Sequence, residues 1–268
     1  MKFEEYKKIN KLKEHSRTEQ SEIFLNSKNH ICKHYFNRYD KENESTFYHI
    51  FGNGNSVQIP TLFMEGDDFI ETELFEKQES LDLAKAINEI SFFYKKTNGL
   101  NLPFSKLDLS KDKLLYRINY LKDEANKRGV NLDLLDRAMH FVLHNYSYCP
   151  QECVVHGDLK SPHIFSYPDK TKFIDFALAG ISNPWYDLSF LCMEEQNNKK
   201  AIFDLVVDSS FSNLKSDFDL DRQKTNNYLL SSMFYRTLYL FGFALRHRTQ
   251  KSLDRVIKEL NEIMEFKQ

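Results

Sequence analysis

No stretch of the 268 residues approaches the ~20 uninterrupted apolar residues of a membrane-spanning helix. The N-terminus, Met1-Lys2-Phe3-Glu4-Glu5-Tyr6-Lys7-Lys8, mixes both charges and lacks the apolar core of a secretion signal. A soluble, cytoplasmic chain that does not engage membranes is the expectation. An excess of one charge is missing too: 37 Lys plus Arg against 39 Asp plus Glu leave a net charge of -2, so no general basic field attracts nucleic acid. Cysteine is scarce. Cys32, Cys149, Cys153 and Cys192 are scattered, which argues against a disulfide framework. Cys149 and Cys153 have a metal-like spacing, but no second cysteine or histidine pair follows at zinc-site distance, so buried thiols are the expectation. Neither G-x-G-x-x-G nor G-x-x-x-x-G-K-[ST] occurs, which removes the Rossmann and P-loop phosphate cradles. Low-complexity segments and internal repeats are absent as well.

The 41% hydrophobic content can supply a real core, and the length suits one large domain or two lobes. From about residue 7 to residue 75 the pattern is strand-like. It predicts strands at Ile9–Leu12, Ser21–Leu25, His30–Phe36, Thr61–Met64 and Phe69–Leu74, with a helix over Asn43–Phe51 closed by Gly52-Asn53-Gly54-Asn55. The predicted order is βββαββ. Beyond Phe75 helical periodicity takes over: a run from Ser80 to Asn98-Gly99, then Leu114–Lys127, Leu132–Tyr146, Lys200–Val207, Thr225–Arg246 and Ser252–Phe266. The reading is an α+β protein with a small antiparallel-sheet lobe over residues 1–76 and a larger, mainly helical lobe over 77–268. Short strands interrupt the helical part only in the motif region, residues 155–176.

That interruption carries the chemistry. Val155-His156-Gly157-Asp158-Leu159-Lys160-Ser161-Pro162-His163 is followed by Phe173-Ile174-Asp175-Phe176. Two carboxylates thus stand at the ends of two short apolar strands joined by a turn, the plan of a phosphoryl-transfer site. Asp158 is the candidate base or hydroxyl-orienting group, and a turn-capping Asp is the bland alternative. Asp175, at a strand end, suits Mg²⁺, a hard ion that takes a few carboxylates together with phosphate oxygens. His163 stands where an oxygen ligand would be expected; it can coordinate through a neutral nitrogen, hold a metal-bound water or Asp158, or merely pack beneath the loop. Lys33, in the strand-like Ile31-Cys32-Lys33-His34-Tyr35-Phe36, faces either solvent or the phosphates of a nucleotide, with Glu44 as first and Glu42 as second choice of acidic partner. The polar segment His15-Ser16-Arg17-Thr18-Glu19-Gln20 is a turn that can cover phosphates through Ser16, Thr18 or backbone N–H groups.

Together these residues resemble the aminoglycoside phosphotransferase and choline kinase-like family, the small-molecule branch of the protein-kinase-like fold. The family pattern H-G-D-x-x-x-x-N, then a hydrophobic strand ending in I-D-[FW], then G-x-P-x-x-D-L, is met by His156-Gly157-Asp158, by Ile174-Asp175-Phe176, and more loosely by Gly180 to Leu188. The resemblance implies a bilobal fold over nearly the whole chain and transfer of a phosphoryl group from ATP or GTP, with Mg²⁺, to a hydroxyl. It makes Asp158 the base, Asp175 the magnesium ligand, and Lys33 with Glu44 the nucleotide clamp. Two departures stand out. His163 replaces the usual Asn, as in family members that modify a 2″-hydroxyl, and two extra residues separate Gly180 from Pro184, leaving Asp187 either to shape an acceptor pocket or to bond backbone. Lys160 looks like the lysine that protein kinases place near the transferred phosphate. The chain lacks H-R-D and A-P-E signatures and an activation-loop insert, so a small acceptor is implied: an aminoglycoside, a sugar or an amino alcohol. A cationic drug would call on acids such as Glu194, Glu195, Asp217, Asp219 or Asp221. Two other classes compete. One is a catalytically weak nucleotide-binding module, for which His163 is the argument; the other is an interaction protein docking through the aromatic run Met233, Phe234, Leu238, Leu240, Phe241, which buried core explains better.

Overall fold

The computed structural model describes residues 1–52, 58–75, 81–194, 199–247 and 250–265. Apolar alternation forms strands where the sequence predicts them: β2 (Ser21–Leu25), β3 (His30–Tyr35), β4 (Leu62–Glu65) and β5 (Phe69–Glu73). With β1 (Lys13–Arg17) they make a five-stranded sheet of order β1-β2-β3-β5-β4 in which every pairing is antiparallel. The register sets Lys33 of the central strand opposite Ile23 and Ile70.

The start of the chain departs from expectation. Ile9–Leu12 is not a strand: α1 (Phe3–Asn10) ends there, and Lys11 turns the chain at φ 50°. Phe3 and Tyr6, one helical turn apart, are buried against Phe24, Cys32 and Phe69, with Leu12 packed alongside. Glu4 and Glu5 in the first turn and Lys7 and Lys8 in the last favour the helix dipole. The first strand therefore starts later. All five residues of β1 are polar and exposed, so no apolar alternation marks it, and Ser16 lies within the strand, opposite Ile23, rather than in a turn.

Helix α2 (Arg38–Phe51) begins a turn and a half before the predicted Asn43, because the Asn37 side chain accepts the Tyr39 N–H at 2.9 Å as its N-cap. Helices α3 (Leu83–Thr97), α4 (Lys111–Lys127), α5 (Asp133–His144), α7 (Lys199–Leu214), α8 (Arg222–His247) and α9 (Gln250–Glu265) fill the predicted helical remainder. An unpredicted helix, α6 (Pro184–Glu194), has a legible start: the Asn183 side chain accepts the Tyr186 N–H at 3.2 Å, and Pro184 stands in the first turn. The predicted turn at Asn53-Gly54-Asn55, the Ser80 helix start, the Phe266 helix end and the 76/77 lobe boundary lie outside the described residues.

The chain divides into two compact units, Met1–Ser105 with Val154–Ile181 and Lys106–Cys153 with Ser182–Gln268. In the first, β7 (Ile164–Ser166) and β8 (Thr171–Phe173) form an antiparallel hairpin, while β6 (Cys153–Val155) pairs with β9 (Gly180–Ser182). Its aromatic core centres on Phe47, fully buried, which stacks on Phe176 at 3.8 Å and touches Phe51, Phe93 and Phe104. The second unit is helical. Phe234 of α8 stacks on Phe141 at 4.5 Å, and Met233, Leu238 and Phe241 are buried with it, so the aromatic run of α8 is core and not a docking face. No described helix is long and apolar enough to cross a membrane.

Truncating the central ring of the first unit leaves a large void. Phe47→Ala is expected to lower the unfolding free energy by about 3–5 kcal/mol, read by urea denaturation; a loss under about 1 kcal/mol would show that Phe47 does not organise this core.

Candidate active site

Strand β3 presents Lys33 to the inner side of the first unit, where its side chain is only 12% exposed. Its Nζ donates to Glu44 Oε2 at 2.8 Å and to Asp175 Oδ1 at 2.6 Å. Burial pulls the ammonium pKa down, but the two carboxylates outweigh it and hold Lys33 above its ordinary range. Glu44 is itself fixed: the Tyr35 hydroxyl donates to Oε2 at 2.6 Å and the Tyr48 hydroxyl to Oε1 at 3.2 Å. Burial first, and then Glu44, push both phenols well up, so they stay donors. Glu42, the second-choice partner, points elsewhere and pairs with the exposed Arg38 at 2.6 Å.

The two carboxylate motifs meet through two histidines. His156 is fully buried; its Nε2–H donates to the Ile174 carbonyl at 2.8 Å, while Nδ1 accepts the Asp158 N–H at 3.3 Å. That pairing fixes one neutral tautomer. Burial, reinforced by His163, pushes His156 down to about 4. The turn that follows requires glycine at 157: φ is 86°, and a Cβ would fall 1.9 Å from the Leu178 carbonyl oxygen. A short 3-10 turn, Ser161–His163, then brings His163 back, and its Nδ1–H donates to the Asp158 carbonyl at 2.9 Å. The other ring nitrogen, Nε2, lies 3.4 Å from Asp175 Oδ2. Lys160 Nζ pairs with Asp158 Oδ2 at 2.6 Å.

Asp175 adopts the left-handed conformation at φ 67°, a position that L-residues other than Asn and Asp rarely take. Phe176 beyond it is locked on Phe47, and the Asn43 side chain donates to the Ala177 and Ala179 carbonyls at 2.8 and 2.7 Å. Burial would raise the Asp175 carboxyl, but Lys33 and then His163 lower it to about 2. A cavity of about 300 Å³ opens beside these groups, lined by Lys33, Glu44, His163 and Asp175 at one side and by Ile23, Ile31, Ile70 and Phe75 elsewhere.

Six of the predicted residues, Lys33, Glu44, Asp158, Lys160, His163 and Asp175, therefore form one connected set. Thr18 lines the cavity, whereas Ser16 is exposed on β1 and does not. Asp187 is fully buried in α6 of the second unit. In that unit too, the Asp221 side chain accepts the Lys224 N–H at 2.6 Å, and Asp219 pairs with Lys224 at 3.6 Å. Glu195 lies outside the described residues. Sequence reading missed the two tyrosines that hold Glu44, yet their spacing was a signal: Tyr35 shares a strand face with Lys33, and Tyr48 follows Glu44 by one helical turn. Asn43 carried no such signal, because its partners are backbone carbonyls far along the chain.

The donor set fits a divalent cation bound along with phosphate. Among the described residues no three His, Cys, Asp or Glu side chains form a metal cage, and Mg²⁺ ordinarily takes only one or two carboxylates, the rest being phosphate oxygen and water. With Nδ1–H of His163 committed to a carbonyl, Nε2 is the ring nitrogen that faces Asp175 Oδ2, at 3.4 Å. A proton or a metal cation between these two atoms would bridge them.

The buried neutral His156 sets a pH dependence. Unfolded, it titrates near 6.5, and folded near 4, so its contribution is fully present above 6.5 and is lost as pH falls from 6.5 towards 4, by about 3 kcal/mol. Asp175, at about 2 against an ordinary 3.8, adds a further loss only below about 4. Urea midpoints measured from pH 7 to pH 4 are expected to drop across the first window, and His156→Gln to flatten that slope; an unchanged slope in the variant would remove His156 as its source.

Residues 99–207 match the sequence profile of the phosphotransferase enzyme family. A search of curated proteins gives no match. Among solved structures, the chain is similar to the ADP-bound aminoglycoside phosphotransferase APH(2'')-Ib, with a TM-score of 0.71 and 17% identity over 98% of this chain and 99% of that one. It is similar to the streptomycin–ATP ternary complex of APH(2")-IIa, at a TM-score of 0.68 and 18% identity over 98% of each chain. It is similar also to the macrolide 2'-phosphotransferase MphH from Brachybacterium faecium, at 0.62 and 11% over 93% of this chain and 92% of that one. At these identities the structures establish the fold. The resemblance to the aminoglycoside phosphotransferase and choline kinase-like family is therefore borne out by the family match in the middle of the chain and by the fold over nearly all of it, and with it the reading of this chain as a small-molecule kinase.

Proposed function

We propose that the protein transfers the γ-phosphoryl group of ATP or GTP to a hydroxyl of a small molecule. The observation that carries this reading is the linkage of the two carboxylates: His163 donates to the Asp158 carbonyl and faces Asp175, while Asp175 shares Lys33 with Glu44. Such transfer depends on alignment and charge stabilisation more than on covalent chemistry by the protein. The apolar part of the cavity accepts the base, and its polar side, with Lys33, accepts phosphates. Thr18 borders the same space; Ser16 plays no part in it. Glu44 and its two tyrosines keep Lys33 extended and protonated, so its charge is available to phosphate oxygens without reorganisation.

Asp175 and His163 would hold Mg²⁺, which when bound neutralises charge on the β- and γ-phosphate oxygens. Asp158 orients the acceptor hydroxyl and takes its proton as the oxygen bonds to phosphorus and the nucleoside diphosphate leaves. Lys160, paired with Asp158 at 2.6 Å, is placed to exchange that partner for a γ-phosphate oxygen. The similar structures bind streptomycin with ATP, gentamicin, or kanamycin with GDP, and others are macrolide phosphotransferases. The acceptor here is accordingly a hydroxylated molecule of the antibiotic, sugar or amino-alcohol kind. Action in the cytoplasm belongs to this reading, since the nucleotide is supplied there. A merely nucleotide-binding role gains no support from His163, whose Nε2 faces Asp175 as a ligand to a shared ion would.

Two measurements test this. Asp158→Asn is expected to lower phosphoryl transfer to a screened acceptor by about 10²–10⁴-fold while the nucleotide-dependent thermal shift persists; transfer at the parental rate would sink the assignment of Asp158. Glu44→Gln frees Lys33 from half its anchorage and is expected to raise KM for the nucleotide roughly tenfold, with a smaller change in kcat, an effect of about 1.4 kcal/mol on binding. An unchanged KM would show that Lys33 holds its position without Glu44.

A further inference from the structure

The helical unit holds a second cavity, of about 350 Å³, between α4 and α8, whose lining differs in kind from the first. Lys113, Arg117 and Arg246 supply three cations, and Tyr116, Tyr120 and Tyr235 supply rings and hydroxyls. None of the three cations forms an ion pair among the described residues. The carboxylates within electrostatic reach are committed elsewhere: Glu124 pairs with Lys127 at 2.8 Å, and Asp108 accepts the Ser110 N–H at 2.9 Å. The Arg117 guanidinium carbon sits 4.4 Å from the centroid of the Tyr239 ring, and its Nε is buried without a hydrogen-bond partner.

These features are unfavourable in the empty cavity and favourable with one class of ligand. Like charges beside one cavity repel, and an unsatisfied buried N–H costs about 1–3 kcal/mol. An anion answers both, because guanidinium donors bind phosphate, sulfate or carboxylate oxygens through charge-assisted bonds. The tyrosine walls add faces for a flat ring. Tyr116 and Tyr120 are 71% and 45% exposed and Lys113 is exposed as well, so the cavity is reached from solvent. In a protein whose acids outnumber its bases, 39 to 37, a cavity lined by three cations and no carboxylate is a local exception to the chain's charge balance.

We propose that this cavity binds a small anionic aromatic molecule, its phosphate or carboxylate group held by Arg117, Lys113 and Arg246 and its ring laid against the tyrosines. The inference does not rest on the phosphotransfer reading. Isothermal titration with 1-naphthyl phosphate tests it, using inorganic phosphate and 1-naphthol as the two half-ligands. The double variant Lys113→Glu/Arg246→Glu, with its melting temperature checked against the parent, is expected to bind at least tenfold more weakly. Lys33→Ala, altered in the other cavity and shown folded by its own melting temperature, is expected to bind as the parent does. Each half-ligand is expected to bind more weakly than the whole. Equal affinity in the double variant, loss of binding in Lys33→Ala, or no binding by the parent up to millimolar probe would overturn the proposal. Inorganic phosphate binding as tightly as the aryl phosphate would overturn the aromatic half of it.

Discussion

One buried ammonium joins three separate stretches of chain. Lys33 comes from the sheet, Glu44 from the helix behind it, and Asp175 from a segment 142 residues further on. A lysine so enclosed is tolerable because the carboxylates offset its loss of water, and removing the ammonium would leave Glu44 and Asp175 as buried like charges without a counter-ion. The surrounding structure serves that arrangement. Tyr35 and Tyr48 satisfy the remaining lone pairs of Glu44, Asn43 pins the backbone after Asp175, and Phe47 and Phe176 seal the apolar side. Each contact also fixes where a positive charge is displayed to the cavity.

The geometry at the carboxylate motifs has a common cause in the backbone. Gly157 and Asp175 both take positive φ, each two residues beyond the end of a short strand, where the chain turns at a carboxylate motif. His156 ties the first turn to the second through the Ile174 carbonyl, while the His163 side chain bonds back to the Asp158 carbonyl and its backbone carbonyl accepts the Ile174 N–H. The histidines are alike in sequence but differ in environment. His156 spends both nitrogens on backbone, whereas His163 spends one and leaves the other towards Asp175.

How much of this was legible depended on the range of the interaction. The strands β2 to β5 announced themselves by alternation, and the long helices by their period, because each buries a face that local pattern records. The set Lys33, Glu44, Asp158, Lys160, His163 and Asp175 was legible through motif spacing. β1 was not, since its five residues are polar and it is a strand only because β2 pairs with it. Nor was α1, where a short amphipathic helix of eight residues resembles a strand when only Ile9 and Leu12 are weighed. The hydroxyls on Glu44 left a trace in spacing, Tyr48 standing one helical turn after it, whereas the bonds of Asn43 were invisible because its partners, the carbonyls of Ala177 and Ala179, are set by tertiary contact.

The polar makeup of β1 has a consequence of its own. It is the outermost strand of the sheet, with Lys13, Glu14 and Arg17 exposed and its pairing interrupted by a bulge between Glu14 and Ser16. An edge strand offers unpaired N–H and C=O groups to any other extended chain, and charge and irregularity are the means by which natural sheets refuse that offer. Carrying charge at three of its five positions, β1 ends the sheet against solvent and discourages another copy from continuing it, so the same lack of hydrophobic pattern that hides the strand from sequence reading guards the protein against aggregation at that edge.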